Sequence, residues 1–366
     1  MDAAELAALG LYDPEDEHAE LRLQLIDYLI GLGATTEDLL EYKDTLPGLA
    51  GVLTIRGGPA RSPSDVAEAS GLGIDDVRRL VRTAGFPDPD PDARVLTEGF
   101  VAVASVVRSA VALLGEEGFF QFARVMGSAM ARVADAAVSA FLVNVEPAAR
   151  RQDPVGLAVA RANVEATSLI PSVPLALDVL FRQHLLLAQR SALPDADLVG
   201  YETQLLSVGF IDLVGSAELA EHLSLAELGA ALSAFEDVCL DAVTSHGGRV
   251  VKLIGDGVLY TASDARSACD IALELAEKLH RHEQLPEVRA GLAGGQVLLR
   301  DGDVFGPVVN LAARVVRTAQ PGEVVATIQV AKAAGVPFVP RGREHIGREH
   351  MDSTAGDVEL AVLGRE

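Results

Sequence analysis

The apolar pattern of the chain changes period once, and that change constrains the fold more than any other feature. From Asp16 to about Arg190 the apolar residues fall on helical faces, in segments at 19–32, 99–114, 119–145, 157–168 and 175–192. Leu46-Pro47-Gly48, Gly57-Gly58-Pro59, Phe86-Pro87-Asp88-Pro89-Asp90-Pro91 and Glu146-Pro147 read as punctuation between them. Then comes a polar, proline-containing break, Ser191-Ala192-Leu193-Pro194-Asp195-Ala196-Asp197. Beyond it strands and helices interleave. Residues 202–213 read as a strand, 224–246 as a helix, 248–261 as a strand hairpin, 265–284 as a helix, 288–299 as a strand, 307–318 as a helix and 322–327 as a short strand. The reading is therefore an all-α domain over 1–192, a linker over 193–200 and an α+β layered domain over 201–366.

Composition narrows what these domains can do. With no Trp and only 4% aromatic residues, the cores must be built from Ala, Val and Leu, which favours close-packed helices. The Ala-rich helix from Phe119, with small residues at Gly127, Ala131, Ala134 and Ala137, reads as a core or dimer helix. The formal net charge of -23 repels phosphate backbones and anionic lipid, so a bound polyphosphate needs cations and a local basic cluster. Cys239 and Cys269 both fall in helical segments and read as buried thiols in a reducing compartment. The longest stretch without a charge runs from Ala166 to Leu177 and contains two prolines, too short to span a bilayer at about 20 residues. The expectation is a cytoplasmic protein without stable membrane insertion.

Three stretches of the second domain carry chemistry. In Phe210-Ile211-Asp212-Leu213-Val214-Gly215-Ser216 a lone acid closes an apolar strand. A helix cap or a solvated acid is the ordinary reading of Asp212 alone. In Gly247-Gly248-Arg249-Val250-Val251-Lys252-Leu253-Ile254-Gly255-Asp256-Gly257 an acid sits between two glycines at a hairpin turn. A plain turn does not explain Lys252, which interrupts an apolar strand and needs an anion, an acceptor or water. In Asp301-Gly302-Asp303-Val304-Phe305-Gly306-Pro307-Val308-Val309-Asn310-Leu311-Ala312-Ala313-Arg314, Asn310 and Arg314 are one helical turn apart and share a face.

Together and in this order, these stretches resemble the catalytic signature of class III adenylate cyclases, over roughly residues 199–327. The resemblance implies a ferredoxin-like βαββαβ core. It implies that Asp212 and Asp256 hold two divalent cations, Mg²⁺ or Mn²⁺, and that Lys252 and Asp303 read adenine. It further implies that Asn310 orients the ribose and that Arg314 stabilises the transition state. Gly291-Leu292-Ala293-Gly294-Gly295-Gln296-Val297 is similar to the family's small-residue strand before the Asp303 loop. The implied reaction is in-line attack of the ribose 3′-OH of ATP on the α-phosphorus, giving 3′,5′-cyclic AMP and pyrophosphate. Two carboxylates suit hard cations, which would activate the 3′-OH and neutralise the leaving group. Arg314 can add charge-assisted hydrogen bonds to the α-phosphoryl oxygens. Adenine offers an acceptor at N1 and a donor at N6, which Lys252 and Asp303 complement, whereas guanine reverses the demand at N1. The family builds its sites between two catalytic domains, so a chain with one set of residues is expected to form a head-to-tail homodimer. The late basic residue that the family places on the triphosphate has no clear counterpart; Arg341, Arg343 and Arg348 are the candidates.

In the first domain, residues 62–80 resemble a helix-turn-helix. The acids around it, Asp65, Glu68, Asp75, Asp76, Asp88, Asp90 and Asp92, oppose phosphate contacts. A packing role is expected, and no nucleic acid. The layout resembles the autoinhibited, pH-responsive adenylate cyclases of mycobacteria and related actinobacteria. That implies a helical domain that holds the catalytic domains apart until a signal arrives, with the linker near Pro194 as the moving element. Histidine chemistry at His18 or His184, or carboxylate pairs, would sense pH; a small molecule or lipid among the apolar helices is the alternative signal. The competing functional reading is a catalytically silent nucleotide-binding regulator acting through the helix-turn-helix.

Overall fold

The computed structural model describes residues 1–56, 60–153, 155–191, 203–216, 221–282, 285–346 and 356–364. The chain divides into two compact units, Met1–Leu193 and Pro194–Glu366. The expected linker at 193–200, with Pro194, lies outside the described residues, as do Gly57-Gly58-Pro59, Arg348 and His350.

The first unit is helical throughout: α1 (Ala3–Ala8), α2 (Ala19–Gly31), α3 (Thr36–Glu41), α4 (Leu46–Arg56), α5 (Pro63–Ser70), α6 (Ile74–Thr83), α7 (Phe100–Asn144), α8 (Glu146–Gln152), α9 (Leu157–Thr167) and α10 (Val173–Ser191). The break at Glu146-Pro147 falls between α7 and α8 as read, whereas Leu46-Pro47-Gly48 forms the first turn of α4. Pro47 and Pro147 are each the second residue of a helix, where the missing N–H leaves no intrahelical bond unmade. One apolar cluster joins α2, α3, α4 and α9 through Leu25, Leu29, Leu39, Leu49 and Ala160. A second joins α5, α6 and the start of α7 through Val66, Val77, Leu80, Ala104 and Val107.

The helix-turn-helix pattern is present as α5 and α6. Ser62 caps α5 in a box with Asp65, and Gly71 closes it at φ 72°, a left-handed conformation that costs glycine little. The arginines of α6 turn inward on the unit's own acids. Arg78 and Arg82 both reach Asp88, at 2.8 and 3.0 Å, and Arg79 pairs with Glu116 while its guanidinium lies 3.8 Å from the centre of the Phe120 ring. Helix α7 is broken at Gly115 (φ 75°, ψ 161°), between the two helical segments read from the sequence.

By length and composition the helical stretch Leu157–Gln189 is apolar enough to cross a membrane. Counting charge-free residues missed it, because Asp178 and Arg182 neutralise each other one turn apart, at 2.9 Å.

The second unit contains β1 (Thr203–Leu213), α11 (Leu225–Ser245), β2 (Arg249–Ile254), β3 (Gly257–Ala262), α12 (Ala265–His280), β4 (Val288–Arg300), β5 (Asp303–Phe305), α13 (Pro307–Val315), β6 (Val324–Thr327), α14 (Ile328–Ala334), β7 (Phe338–Ile346) and β8 (Gly356–Leu363). The strands form one sheet in the order β2-β3-β1-β4-β6-β8-β7, with β5 paired to β4. The run β1-α11-β2-β3-α12-β4, antiparallel in the order β2-β3-β1-β4, is the ferredoxin-like core. Beyond it, β6 joins β4 in parallel, and β8 and β7 extend the edge.

Alternation along β1 sorts the two faces. Ile211 and Leu213 enter the larger core beneath α11, α12 and α14, with Phe235, Tyr260, Ile271 and Leu275. Leu206, Val208 and Phe210 enter a smaller core beneath α13, with Leu259, Ala293, Val297 and Ala312. Cys239 and Cys269 are buried in the larger core, where burial pushes both thiols up to about 12. Tyr260 is also fully buried and donates its hydroxyl to the carbonyl of Ala268 at 2.8 Å. Its ring occupies the space a side chain on Gly209 would need: a Cβ there would lie 2.2 Å from the ring. Gly209→Ala therefore overpacks the centre of the sheet and should destabilise the second unit by about 1–3 kcal/mol. Urea unfolding followed by a probe in that unit checks it; an unchanged midpoint contradicts the packing described.

Candidate active site

The site residues are positioned by the face of the sheet beneath α13. Asp212 is the next-to-last residue of β1, in register with Gly257 at the start of β3 and with Arg289 near the start of β4. By alternation it shares the face of Val208 and Phe210. Asp256 sits in the β2–β3 turn, and its carbonyl accepts a hydrogen bond from the Leu213 amide at 3.1 Å, which ties that turn to the end of β1. Gly257 has to be small: a Cβ there would meet the Ile211 carbonyl at 2.8 Å and approach the Asp212 carboxylate at 3.8 Å. Two acids far apart in sequence thus meet at one rim of the sheet. The Asp256 carboxylate accepts a hydrogen bond from the Ser216 hydroxyl.

Lys252 lies on β2 opposite Leu259, which belongs to the core beneath α13. It forms an ion pair with Asp303, the first residue of β5. The β4–β5 turn is brought to β2 by Arg249, whose Nη2 donates to the Gly302 carbonyl at 2.8 Å. The second Asp303 oxygen, Oδ1, accepts from the Val304 amide at 2.8 Å, which fixes the carboxylate. Asn310 and Arg314 are on α13. Ala312 and Val315 bury the inner side of that helix, Asn310 is exposed and Arg314 is half-buried. The structure thus places Asp212 and Asp256 together, joins Lys252 with Asp303, and holds Asn310 and Arg314 on one separate helix.

Sequence reasoning missed Arg289. Its Nε and Nη2 donate to the same Asp212 oxygen at 2.8 and 2.5 Å. The signal was available, since Arg289 is a cation near the start of an otherwise apolar strand, the same anomaly that marked Lys252. Of the expected triphosphate ligands, Arg341 is engaged by Glu323 at 3.1 Å and Glu344 at 2.8 Å, and Arg343 by Glu359 at 3.0 Å. Among the described residues, Arg289 is the cation paired with Asp212.

The donor set fits divalent cations of one kind. Among the described residues no group of three or more His, Cys, Asp or Glu side chains could cage a metal. Two carboxylates at one rim suit a hard cation that fills its remaining positions with water and phosphate oxygens, as Mg²⁺ does.

Residues 6–188 match the family described as the adenylate cyclase regulatory domain, and residues 199–352 match the adenylate and guanylate cyclase catalytic domain. An uncharacterized protein of Mycobacterium tuberculosis is 34% identical over 90% of this chain and 86% of its own length. An adenylate cyclase of Streptomyces coelicolor is 36% identical over 69% of this chain and 66% of its own. A pH-sensitive adenylate cyclase of M. tuberculosis is 26% identical over 94% of this chain and 88% of its own. The helical unit, the ferredoxin-like core with its acidic rim and these matches agree: the chain belongs to the class III cyclases that join an adenylate cyclase regulatory domain to an adenylate and guanylate cyclase catalytic domain.

Proposed function

We propose that this enzyme converts ATP into 3′,5′-cyclic AMP and pyrophosphate, at sites shared between two copies of the chain and controlled by the helical unit. The observation that carries the reading is the Lys252–Asp303 pair, a donor and an acceptor held side by side on a half-exposed surface. Adenine presents an acceptor at N1 beside a donor at N6 and would replace each partner's contact with one of its own. Guanine would leave Lys252 facing an N–H, and an unmatched polar group at a hydrogen-bonding site is strongly rejected.

At the acidic rim, Asp212 and Asp256 would hold divalent cations. Bound there, such ions supply positive charge to the triphosphate and lower the pKa of a coordinated hydroxyl. Arg289 orients the Asp212 carboxylate and places a guanidinium where phosphate oxygens would arrive. Asn310 would orient the ribose. Arg314 would stabilise the pentacoordinate phosphorus with hydrogen bonds that strengthen as charge moves onto the equatorial oxygens. The outward position of Asn310 supports a site completed by a second chain, since α13 turns that side chain away from its own sheet. Control by the helical unit rests on the regulatory-domain match and on the layout shared with the pH-sensitive relative. Acidic pH is the signal this reading assigns.

Purified chain with Mn²⁺ should form cyclic AMP from ATP and little cyclic product from GTP; equal use of both, or of neither, counts against the base-reading role. Lys252→Met and Asp303→Asn should relax this preference while shifting the unfolding free energy by less than about 1 kcal/mol, because the pair is half-exposed. Asp212→Ala and Arg314→Ala should each lower the rate by about 100-fold or more. Mixing those two variants should restore roughly one working site per dimer, whereas mixtures as inactive as either parent would refute the shared site. Across pH 5.5–8, a chain that starts at residue 195 should outrun the full chain in at least part of the range. Equal rates at every pH would rule out autoinhibition.

A further inference from the structure

The edge strand β2 aims two cations at one hairpin, which its sequence spacing alone would not allow. Arg249 and Lys252 are three residues apart, and side chains so spaced on a regular strand point to opposite faces of the sheet. The pairing with β3 departs from that rule. Arg249 stands opposite Thr261 and Val250 opposite Tyr260, but the next pair is Lys252 with Leu259. Val251 is the extra residue of a β-bulge, a device that re-aims side chains. Thr261 and Leu259 share a face of β3, so the cations opposite them share it too. Both then reach the β4–β5 hairpin, Lys252 at the Asp303 carboxylate and Arg249 at the Gly302 carbonyl.

That hairpin is a small projection from the sheet. β5 has three residues and pairs with β4 alone, from Leu298 with Phe305 to Arg300 with Asp303. Asp301 and Gly302 form its turn at φ 57° and 79°, the left-handed conformation that suits an Asp-Gly turn. Val304 is buried and seats the base of the hairpin in the core beneath α13. The tip is held differently. The Gly302 carbonyl and the Asp303 amide belong to one planar peptide group. The 2.8 Å bond from Arg249 Nη2 to that carbonyl therefore fixes the plane from which Asp303 projects. Asp303 Oδ1 is fixed by the Val304 amide at 2.8 Å, and Oδ2 is paired with Lys252. An adenine read by Lys252 and Asp303 competes for the contact between them. The Arg249 bond ends on main chain and stays outside that competition.

We propose that Arg249 is a positioning residue for base selection: it holds the tip of the β4–β5 hairpin on β2, so that Asp303 keeps its place beside Lys252 while a nucleotide occupies the pair. The inference rests on the base-reading role given above to Lys252 and Asp303, and it adds a residue that acts through Asp303. A hydrogen-bonding site rejects the wrong base only while its donors and acceptors are fixed, since a group free to swing away leaves nothing unpaired.

The test reads base preference without turnover. The full chain with Mn²⁺ is titrated with 3′-deoxy-ATP and 3′-deoxy-GTP, which lack the attacking hydroxyl. Arg249→Ala should weaken 3′-deoxy-ATP by about fivefold or more, as loss of one hydrogen bond from a charged donor implies, and 3′-deoxy-GTP by less than about twofold. Arg249→Lys keeps a cationic donor and should stay within about twofold of the unaltered chain for both. In an Asp303→Ala background, Arg249→Ala should weaken 3′-deoxy-ATP by less than about a further twofold, because its effect passes through that carboxylate. An unaltered adenine preference in Arg249→Ala overturns the inference. So does equal weakening of both analogues, a lysine variant as weak as the alanine one, or the full loss repeated in the Asp303→Ala background. Failure of the underlying reading looks different: Asp303→Ala alone would then keep the adenine preference, and the inference would fall with it. Arg249 is exposed, so Arg249→Ala should unfold at the same urea midpoint as the unaltered chain, which separates lost positioning from lost folding.

Discussion

The cyclase unit depends on the register of one strand. β1 is hydrogen-bonded to β3 on one side and β4 on the other over most of its length. Ile211 and Leu213 are committed to the larger core, and Leu206, Val208 and Phe210 to the face beneath α13. A slip of one residue would send Asp212 into the larger core and bring Ile211 out. An uncompensated carboxylate there, beside Phe235 and Leu275, would cost several kcal/mol, so the packing of β1 and the placement of its acid enforce each other. Gly209 under Tyr260 and Gly257 against Ile211 show how little slack the register has.

In this structure Asp212, Lys252, Asp256, Arg289 and Asp303 each have a charged or hydrogen-bonding partner. Asp212 is held by Arg289, Lys252 by Asp303, and Asp256 by a hydroxyl. None of the two ion pairs is deeply buried, so each adds little to stability. Their effect is positional. Each fixes the orientation of its side chains on a partly exposed surface.

Much of this was legible in the sequence. Charged residues inside apolar strands, Asp212 and Lys252 above all, stood out because burial requires them to have partners. The interleaved periods marked out the ferredoxin-like core. Arg289 carried the same anomaly and was passed over, since a basic residue near the start of a strand also reads as a solvated edge. The strands β7 and β8 were not legible: Arg341, Arg343, Glu344 and His345 break the alternation, and only the cross-strand pairing of Arg343 with Glu359 and of His345 with Asp357 shows why a strand tolerates them. Pro47 misled for a related reason, since a proline breaks a helix interior but suits its first turn, as in α4.

The helix-turn-helix pattern shows where sequence shape and chemistry part company. α5 and α6 have the cap, the left-handed glycine and the amphipathic second helix that such a motif requires. A DNA reader keeps the cations of its second helix free for phosphates and base edges. Here Arg78 and Arg82 converge on Asp88, and Arg79 is clamped between Glu116 and the face of Phe120. The Pro-Asp run thus acts as an internal counter-ion, and Arg79 ties α6 to α7 just beyond the break at Gly115. The same residues that suggest recognition therefore serve the packing of the helical unit itself.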